Sequence, residues 1–417
     1  MNSDLHHLIA QARWFGGKGQ PFTLTSVDAV GSVGPGPVTA DAWVATLDYG
    51  TTTDRYLLWS PGSAEPSGTA MPDLTTSEAG LQALWAGFQG QTTGPIRCRA
   101  LAPLPTVATA APLAVEQSNT SIRFGDRWLL KLFRRFSPGV NPDIELHEVL
   151  TRAGSRDIAT LGGWIEAEID GVGTHLGILQ EFLPGALDGW GIALASLRPG
   201  GEDFTAHSAA IGAALSRVHR LLATHTPGPA TSGMDLALAM TARLHAAADI
   251  VPGLDEHRRS LTALFDRVRD IAVIGTHRIH GDFHLGQTLH SGGGWRLVDF
   301  EGEPAASPEQ RVRPDSGWRD LAGMRRSFDY ATAVAARSAA DPGGLAEAAT
   351  TYLEEWREQQ GRAFLHGYLG RAPTSEERLL LDAYTADKAV YETVYETRHR
   401  PDWVNIPLGA LAQIGAR

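Results

Sequence analysis

Residues 279–287 read IHGDFHLGQ, and residues 295–301, after a short Gly-rich turn, read WRLVDFE. The first stretch places a carboxylate, Asp282, and an amide, Gln287, five residues apart. The second places Asp299 at the end of an apolar run, twelve residues after Gln287. Side-chain oxygens in this order can orient an attacking hydroxyl and hold Mg²⁺ against phosphates. The two stretches therefore predict a phosphoryl-transfer site, and they decide the fold expected around it.

The spacing of these polar residues matches the catalytic loop of protein kinases. In that loop a catalytic Asp is followed five residues later by a metal-binding Asn, and a second metal-binding Asp comes further on. We expect Asp282 to orient and deprotonate the acceptor hydroxyl, and Gln287 and Asp299 to ligate Mg²⁺. His280 is expected to support the loop. A zinc site at His280 and His284 is disfavoured, because a glycine lies between them and the HExxH glutamate is missing.

Lys131 is the second candidate, in the second strand of a hairpin predicted around Gly125. A lysine in a strand usually lies on a solvated face. With the two aspartates following it in kinase order, we expect its ammonium to contact the α- and β-phosphates of ATP. An acid on the next helix should pair with it, Glu145 first and Glu148 second. The preceding polar loop, which begins Glu116-Gln117, is expected to cover the phosphates with Ser118, Asn119, Thr120 and Ser121.

Residues 179–185 read LQEFLPG, an apolar strand closed by a Pro-Gly turn. At this position along a two-lobed kinase, the connector passes the adenine. We therefore expect backbone groups of Gln180, Glu181 and Phe182 to bind the adenine. A strand that simply ends in a turn fits the same residues equally well, so the position along the chain is the only support for this interpretation.

The order of the predicted elements indicates an α+β protein. Residues 1–95 alternate strand-like runs with Gly/Pro/Thr-rich turns and predict a small, mostly-β N-terminal cap subdomain. Residues 96–183 predict a β-rich intermediate subdomain with one helix, expected to bind ATP. Residues 184–417 carry helical patterns interrupted by one β insertion at 278–303, and predict a large helical C-lobe. This is the plan of a two-lobed protein-kinase-like fold.

Composition disfavours several other function classes. The formal net charge of -11 argues against a nucleic-acid or anionic-membrane surface, so neither partner is expected. The single cysteine, Cys98, cannot form an internal disulfide or a thiolate zinc cluster, which predicts a reduced, cytoplasmic protein. The sequence has no apolar run of about 18 residues and opens without a secretory signal pattern, so no membrane span or export is expected.

Motifs along essentially the whole chain resemble those of bacterial maltokinases. They are RWFGGK at 13–18, EQSNTS at 116–121, KLFRR at 131–135, NPDIE at 141–145, QEF at 180–182, HGDFHLGQ at 280–287, DFEGEP at 299–304, RDLAGM at 319–324, YETVYETR at 391–398 and RPDW at 400–403. The resemblance implies an aminoglycoside-phosphotransferase-like kinase fold. It also implies a small sugar as the acceptor, held in a groove of the C-lobe.

The resemblance leaves two acceptors open. Maltokinases make maltose 1-phosphate from maltose and ATP, whereas a related actinobacterial branch phosphorylates glucosamine, and glucose less well, at the 6-hydroxyl. The chain is short for a maltokinase, and Gly16 replaces the more usual alanine of the cap motif, so glucosamine is the preferred expectation. A glucosamine site needs a carboxylate near the 2-ammonium. The residues expected at the sugar are Asp282, His284, Glu303, Tyr391, Glu392, Glu396 and Trp403.

Three alternatives remain at this point. Tyr391, Tyr395 and their neighbouring glutamates fit one packed face of a helix equally well. A non-catalytic scaffold on a kinase fold is disfavoured, because the lysine, the catalytic acid and the metal acid are all present. An aminoglycoside-type phosphotransferase shares the fold, but the cap and C-terminal motifs argue against it.

Overall fold

The computed structural model describes residues 3–36, 38–62, 71–92, 94–107, 109–113, 118–292, 294–304, 306–339 and 347–415. Contacts within the chain define two compact units. The first comprises Met1–Glu148 and Ala159–Pro184, and the second comprises Val149–Ile158 and Gly185–Arg417. Among the described residues, no helix combines the length and the apolar character that crossing a bilayer requires.

The first unit contains two antiparallel sheets. One has the order β1–β2–β3, built from Thr23–Val33, Ala40–Asp48 and Thr53–Pro61. The other has the order β4–β8–β9–β7–β6–β5. Its strands, in chain order from β4 to β9, are Arg97–Ala100, Ala110–Leu113, Asn119–Phe124, Trp128–Phe133, Leu161–Ile169 and Val172–Glu181. The helices are α1 (Ser3–Gln11), α2 (Glu78–Phe88) and α3 (Pro142–Arg152), the last of which ends in the second unit.

One apolar core joins the two sheets of the first unit. It contains Trp59 of β3, Trp85 of α2 and Ile178 of β9. The Trp85 and Phe124 rings stack with their centroids 4.9 Å apart. Residues on both sides of position 95 therefore share this core. The subdomain boundary predicted there stays a prediction.

The second unit is helical. In chain order from α4 to α12 its helices are Gly189–Ser196, Thr205–His225, Gly233–Ala248, Asp255–Val268, Pro308–Arg311, Trp318–Ala339, Glu347–Leu369, Ser375–His399 and Asn405–Gly415. A small antiparallel sheet consists of β10 (Leu187–Asp188), β11 (Thr288–Ser291) and β12 (Gly294–Leu297), and its last two strands lie within the predicted β insertion at 278–303. The predicted α+β class is confirmed, since a β-rich unit is followed by a helical one.

Two glycines allow the helices α5 and α10 of this unit to cross at close range. A Cβ added at Gly212 of α5 would lie 2.1 Å from the carbonyl oxygen of Phe364. A Cβ added at Gly367 of α10 would lie 2.0 Å from the carbonyl oxygen of Ala209. Only hydrogen at both Cα atoms permits this approach. The backbones of α5 and α10 are therefore held closer than any larger residue would allow.

A buried arginine ties β7 to the rest of the first unit. Arg134 is 1% exposed, and its guanidinium donates to Asp73 at 3.1 Å and to the hydroxyl of Thr120 at 2.7 Å. The guanidinium also lies 5.0 Å from the centroid of the Trp14 ring. Its neighbour Arg135 pairs with Asp54, but the Arg135 side chain is 66% exposed. Two adjacent arginines thus each pair with an aspartate, Arg134 in the interior and Arg135 at the exposed surface.

We expect Arg134→Ala to lower the free energy of unfolding by about 3 kcal/mol, because it leaves Asp73 without its buried cation. Arg135→Ala, the matched control, should cost less than about 1 kcal/mol, since exposed ion pairs contribute little. Urea unfolding of both variants measures the difference. Equal losses would show that burial of Arg134 contributes nothing to stability.

Candidate active site

A carboxylate from α9 fixes the loop that carries Asp282. The backbone N–H groups of His280 and Gly281 donate to the two carboxylate oxygens of Asp320, each at 2.8 Å. The imidazole Nε2 of His219 lies 3.0 Å from the same carboxylate, which is 1% exposed. Gly281 has φ 86°, and a Cβ added at this residue would lie 3.1 Å from the Cα of Gly302. The loop is thus held by a buried acid and permitted by a glycine.

The His280 ring connects this loop to the segment before Asp299. Its Nε2 lies 2.9 Å from the carbonyl oxygen of Val298, and its ring packs on Phe300 with centroids 4.7 Å apart. His280 is buried and does not line the cavity described below. Its position is a supporting one.

Gln287 and Asp299 lie side by side. The Gln287 side-chain amide donates to Oδ2 of Asp299 at 2.9 Å, and the backbone N–H of Val298 donates to the backbone carbonyl oxygen of Gln287 at 3.1 Å. Asp299 adopts φ 69°, a left-handed conformation that aspartate tolerates better than most residues. Among the described residues, no group of three or more His, Cys, Asp or Glu side chains could hold a metal ion. An aspartate carboxylate beside a glutamine side chain still fits Mg²⁺, which takes few protein ligands and completes its shell with phosphate and water.

Lys388 of α11 is a site residue that the sequence analysis missed. Its ammonium donates to Oδ1 of Asp282 at 3.1 Å and to Oε1 of Glu303 at 2.6 Å. The side chain is only 10% exposed, and its Nζ lies 5.1 Å from the centroid of the Tyr391 ring. One buried cation therefore links the loop aspartate to a second carboxylate.

This cluster sets the charge of Asp282. Burial alone would raise the pKa of the Asp282 carboxyl, but the Lys388 ammonium and the nearby His284 hold it below its usual value. Burial lowers the pKa of His284, which favours the neutral imidazole at neutral pH. Asp282 and Glu303 together raise the pKa of Lys388 despite its burial, so the ammonium keeps its charge.

A cavity of about 410 Å³, called here the Asp282 cavity, opens beside this cluster, and all of its lining residues belong to the second unit. Of the seven residues expected at a sugar, six line it: Asp282, His284, Tyr391, Glu392, Glu396 and Trp403. The seventh, Glu303, does not line the cavity, but it accepts a hydrogen bond from Lys388, which does. Tyr391 and Tyr395 line the same cavity, so this face of α11 borders an open space.

The carboxylates of the Asp282 cavity are already paired. Glu392 accepts a hydrogen bond from Nε of Arg326 at 2.7 Å. Glu396 accepts from the Tyr330 hydroxyl at 2.8 Å and from Arg400 at 2.6 Å. Burial raises the pKa of Glu392 even though Arg326 opposes the shift. Counting Asp282 and Glu303, four carboxylates face three cations here, which leaves one surplus negative charge.

In the first unit, the lysine singled out from the sequence lies in the middle of the large sheet. Lys131 pairs in register with Ser121 of β6 and with Ile178 of β9. The predicted hairpin is confirmed, with φ 57° at Gly125. Glu145 lies in the first turn of α3.

The expectation of a loop before Lys131 is wrong for Asn119 and Thr120, whereas Ser121 is also expected to begin the strand that follows. Asn119, Thr120 and Ser121 belong to β6, where they pair with β7, and only Ser118 lies outside the strand. Ser121 is buried, and the Thr120 hydroxyl accepts a hydrogen bond from Arg134. The strand forms because an apolar partner, β7, runs beside it in register. Glu116 and Gln117 lie outside the described residues.

The strand end proposed for adenine is engaged within its own unit. The N–H of Glu181 donates to the Thr160 carbonyl at 2.8 Å, and the N–H of Phe182 donates to the Arg127 carbonyl at 2.6 Å. Gln180 pairs with Leu129 in the sheet and is buried. A base that binds the backbone of Glu181 or Phe182 would therefore have to donate to their carbonyl oxygens.

Comparison with known proteins gives consistent relatives, although no family model matches the chain. A glucosamine kinase of Streptacidiphilus jiangxiensis is 30% identical over 321 residues, which are 71% of this chain and 71% of that protein. A glucosamine kinase of Mycolicibacterium smegmatis (strain ATCC 700084 / mc(2)155) is 28% identical over 318 residues, 72% of this chain and 78% of that protein.

Solved structures show the same fold. A glucosamine kinase in complex with glucosamine, ADP and inorganic phosphate superposes with a TM-score of 0.67 at 23% identity, covering 99% of this chain and 100% of that chain. Crystal form A of a glucosamine kinase gives a TM-score of 0.69 at 22% identity, covering 99% of each chain. At these identities the likeness establishes the fold alone.

The Asp320 clamp predicts a pH-dependent stability. Burial alone would raise the pKa of Asp320, but hydrogen bonds from His219 and Gly281 hold it below its usual value. Its stabilising contribution is therefore full above the unfolded-state pKa of about 3.9 and is lost as the pH falls through the folded value. We expect Asp320→Asn to cost about 1–3 kcal/mol at pH 7, because a buried N–H loses its acceptor.

Urea unfolding at several pH values from neutrality down to about 2 measures this contribution, and the gap between wild type and Asp320→Asn should stay constant above pH about 4 and narrow below it. Asp255→Asn, at an exposed pair with Arg258, is the matched control and should change stability by less than about 1 kcal/mol. A gap that stays constant below pH about 4 as well would contradict the charge-based account of the clamp.

Proposed function

The chain belongs to the glucosamine kinase family, and on that premise we propose that it transfers the γ-phosphate of ATP to the 6-hydroxyl of glucosamine, with glucose as a weaker acceptor. The observation that carries the proposal is the Asp282 cavity, in which a charged aspartate meets aromatic side chains and a surplus negative charge. We place the reaction in the cytoplasm, where ATP is available and a lone thiol such as Cys98 stays reduced.

Asp282 is proposed to receive the acceptor hydroxyl. Its depressed pKa keeps the carboxylate ionised at neutral pH, so it accepts the hydrogen bond of the hydroxyl and then its proton as the oxygen attacks. A weak base suffices, since phosphoryl transfer depends mainly on positioning and charge stabilisation. Lys388 orients this carboxylate through one oxygen, which leaves the other for the acceptor.

Gln287 and Asp299 would hold Mg²⁺ through an amide oxygen and a carboxylate. When bound, the ion neutralises charge on the phosphate oxygens. Lys131 is proposed to contact the α- and β-phosphates, with Glu145 as its positioning acid. The other proposed nucleotide contacts are Ser118, Asn119, Thr120, Ser121, Gln180, Glu181 and Phe182.

The surplus negative charge supports an aminosugar. Three protein cations leave one of the four carboxylate charges unbalanced, and a bound monocation would balance it. Glu396 and Glu392 are proposed to accept from the 2-ammonium. Trp403 and Tyr391 are proposed to pack against the sugar ring, and His284 to contact a hydroxyl. A charge-assisted hydrogen bond contributes about 1.5–3 kcal/mol, which corresponds to a preference over glucose of about tenfold or more.

A coupled ADP-release assay with glucosamine, glucose, maltose and an aminoglycoside tests the proposal. We expect the highest kcat/KM with glucosamine, and Asp282→Asn should lower kcat by about 10²–10⁴-fold while ATP still binds. Asp402→Asn, on an exposed carboxylate outside the Asp282 cavity, is the matched control and should keep wild-type turnover. Preferred turnover of maltose, or an active Asp282→Asn variant, would overturn the assignment.

Lys388 is proposed as a positioning residue that keeps Asp282 ionised. Lys388→Met removes the ammonium that lowers the pKa of Asp282, so that pKa rises. The acid limb of the kcat/KM profile against pH should therefore move to higher pH. Lys388→Arg, which keeps the positive charge, should move it back toward the wild-type position. If the acid limb of Lys388→Met coincides with that of wild type, Lys388 does not tune the base.

A further inference from the structure

The second unit contains a larger cavity that the proposed reaction does not use. Its volume is about 600 Å³, against about 410 Å³ for the Asp282 cavity. It lies among α9, α10, α11 and α12, and its inner wall includes the apolar side chains of Phe364, Leu365, Leu381 and Ile414. We call it the Arg378 cavity. It is large enough for a small organic molecule.

The charge of the Arg378 cavity is positive. Five arginines and three carboxylates line it. Four of the arginines have a carboxylate within 4.0 Å. The fifth, Arg378, donates to the carbonyl oxygen of Pro373 at 2.6 Å, and no carboxylate of the described part of the chain lies within 4.0 Å of it. An apolar wall beside an unneutralised guanidinium fits a ligand with an apolar body and one anionic group.

The two cavities share α9 and α11 as walls. On α9, Ser327 and Tyr330 line the Asp282 cavity, whereas Arg325 and Asp329 line the Arg378 cavity. On α11, residues 378–385 border the Arg378 cavity, and the C-terminal half of the helix borders the Asp282 cavity. A shift of side chains at one cavity can therefore alter the other cavity, because side chains of α9 and α11 line both.

A chain of charged groups crosses this shared wall. Arg357, in the Arg378 cavity, lies 3.6 Å from Oδ1 of Asp329. The other oxygen of Asp329 accepts a hydrogen bond from Nη1 of the buried Arg326. Nε of Arg326 donates to Glu392 of the Asp282 cavity at 2.7 Å. Nη2 of Arg326 is buried and has no hydrogen-bond acceptor within the described ranges, so only Asp329 and Glu392 hold the guanidinium by hydrogen bonds.

We propose that the Arg378 cavity binds a small anionic amphiphile, an apolar body bearing one carboxylate, sulfonate or phosphate, and that its occupancy strengthens binding of the cationic sugar. An anion bound in the cavity also attracts Arg357, which lines the same cavity, and weakens its pairing with Asp329, which then holds Arg326 more strongly. Glu392 loses part of its neutralisation and becomes a better acceptor for the ammonium of the sugar. The coupling half of this inference rests on the proposed function, whereas the binding half does not.

Two open helical glycines supply a matched pair of variants. A Cβ added at Gly361 of α10 meets no atom within 4 Å, and this residue lines the Arg378 cavity. A Cβ added at Gly409 of α12 also meets no atom within 4 Å. Gly409 lines a neighbouring cavity and not the Arg378 cavity. Phenylalanine at either position improves helix propensity over glycine. Gly361→Phe therefore fills the Arg378 cavity, and Gly409→Phe controls for an added ring.

Binding is tested on the full chain, without sugar, by titrating anilinonaphthalene sulfonate and following its fluorescence. We expect one saturable site in wild type and Gly409→Phe, and at least about tenfold weaker binding in Gly361→Phe and Arg378→Gln. Phenylnaphthylamine, which keeps the rings and lacks the sulfonate, should bind at least about tenfold more weakly than the sulfonate. Equal binding to Gly361→Phe and wild type, or no saturable binding at all, would overturn the site.

Coupling is tested with the same probe. We expect saturating sulfonate to lower the KM for glucosamine about threefold or more in wild type and Gly409→Phe, and to leave it unchanged in Gly361→Phe and Asp329→Asn. By reciprocity, glucosamine should tighten binding of the probe by the same factor. An unchanged KM with bound probe overturns the coupling. A chain that binds the probe but phosphorylates no aminosugar overturns the proposed function and leaves the cavity assignment standing.

Discussion

The ammonium of Lys388, buried between Asp282 and Glu303, is the interaction on which the site depends. Two carboxylates cannot be desolvated side by side in their charged forms without a cation between them. The pairing therefore links α11 to the loop of Asp282, because no other lysine or arginine pairs with this aspartate among the described residues. It also keeps the aspartate ionised, which is the state that an acceptor hydroxyl requires.

The helix α9 extends this control beyond one residue. Near its start, Asp320 holds two backbone N–H groups of the loop, and further along Arg326 neutralises Glu392 of α11. Tyr330 then donates to Glu396 on the same face. One helix thus positions the loop, balances the carboxylates of the Asp282 cavity and forms the wall of the Arg378 cavity. The charge balance of the second unit therefore depends on two facing helices, α9 and α11.

Local patterns in the sequence were sufficient for the hairpin around Gly125 and for the pairing of Gln287 with Asp299. In both, the residues lie within fourteen positions of each other, and a turn or a short strand determines their geometry. The order of strands and helices likewise followed from local periodicity, and it predicted the α+β class.

Long-range partners were not readable in the same way. Lys388 lies 106 residues from Asp282, and Asp320 lies 39 residues from Gly281. A lysine or aspartate within a helix usually reads as a solvated position, since its charge gives no hint of a buried partner. The start of β6 at Asn119 and Thr120 was missed for a related reason, because polar residues favour a loop until an apolar partner strand is known. A buried acid on an otherwise apolar helix face, such as Asp320, is the signal that could have been sought.

The most direct measurement is the position of the phosphate in the product. The chain is incubated with ATP and glucosamine, and a phosphorus–proton NMR correlation spectrum is recorded. Proton transfer to Asp282 from the 6-hydroxyl predicts a phosphomonoester coupled to the two protons on carbon 6. A phosphate coupled to the anomeric proton, or no phosphorylated sugar despite release of ADP, would contradict the account.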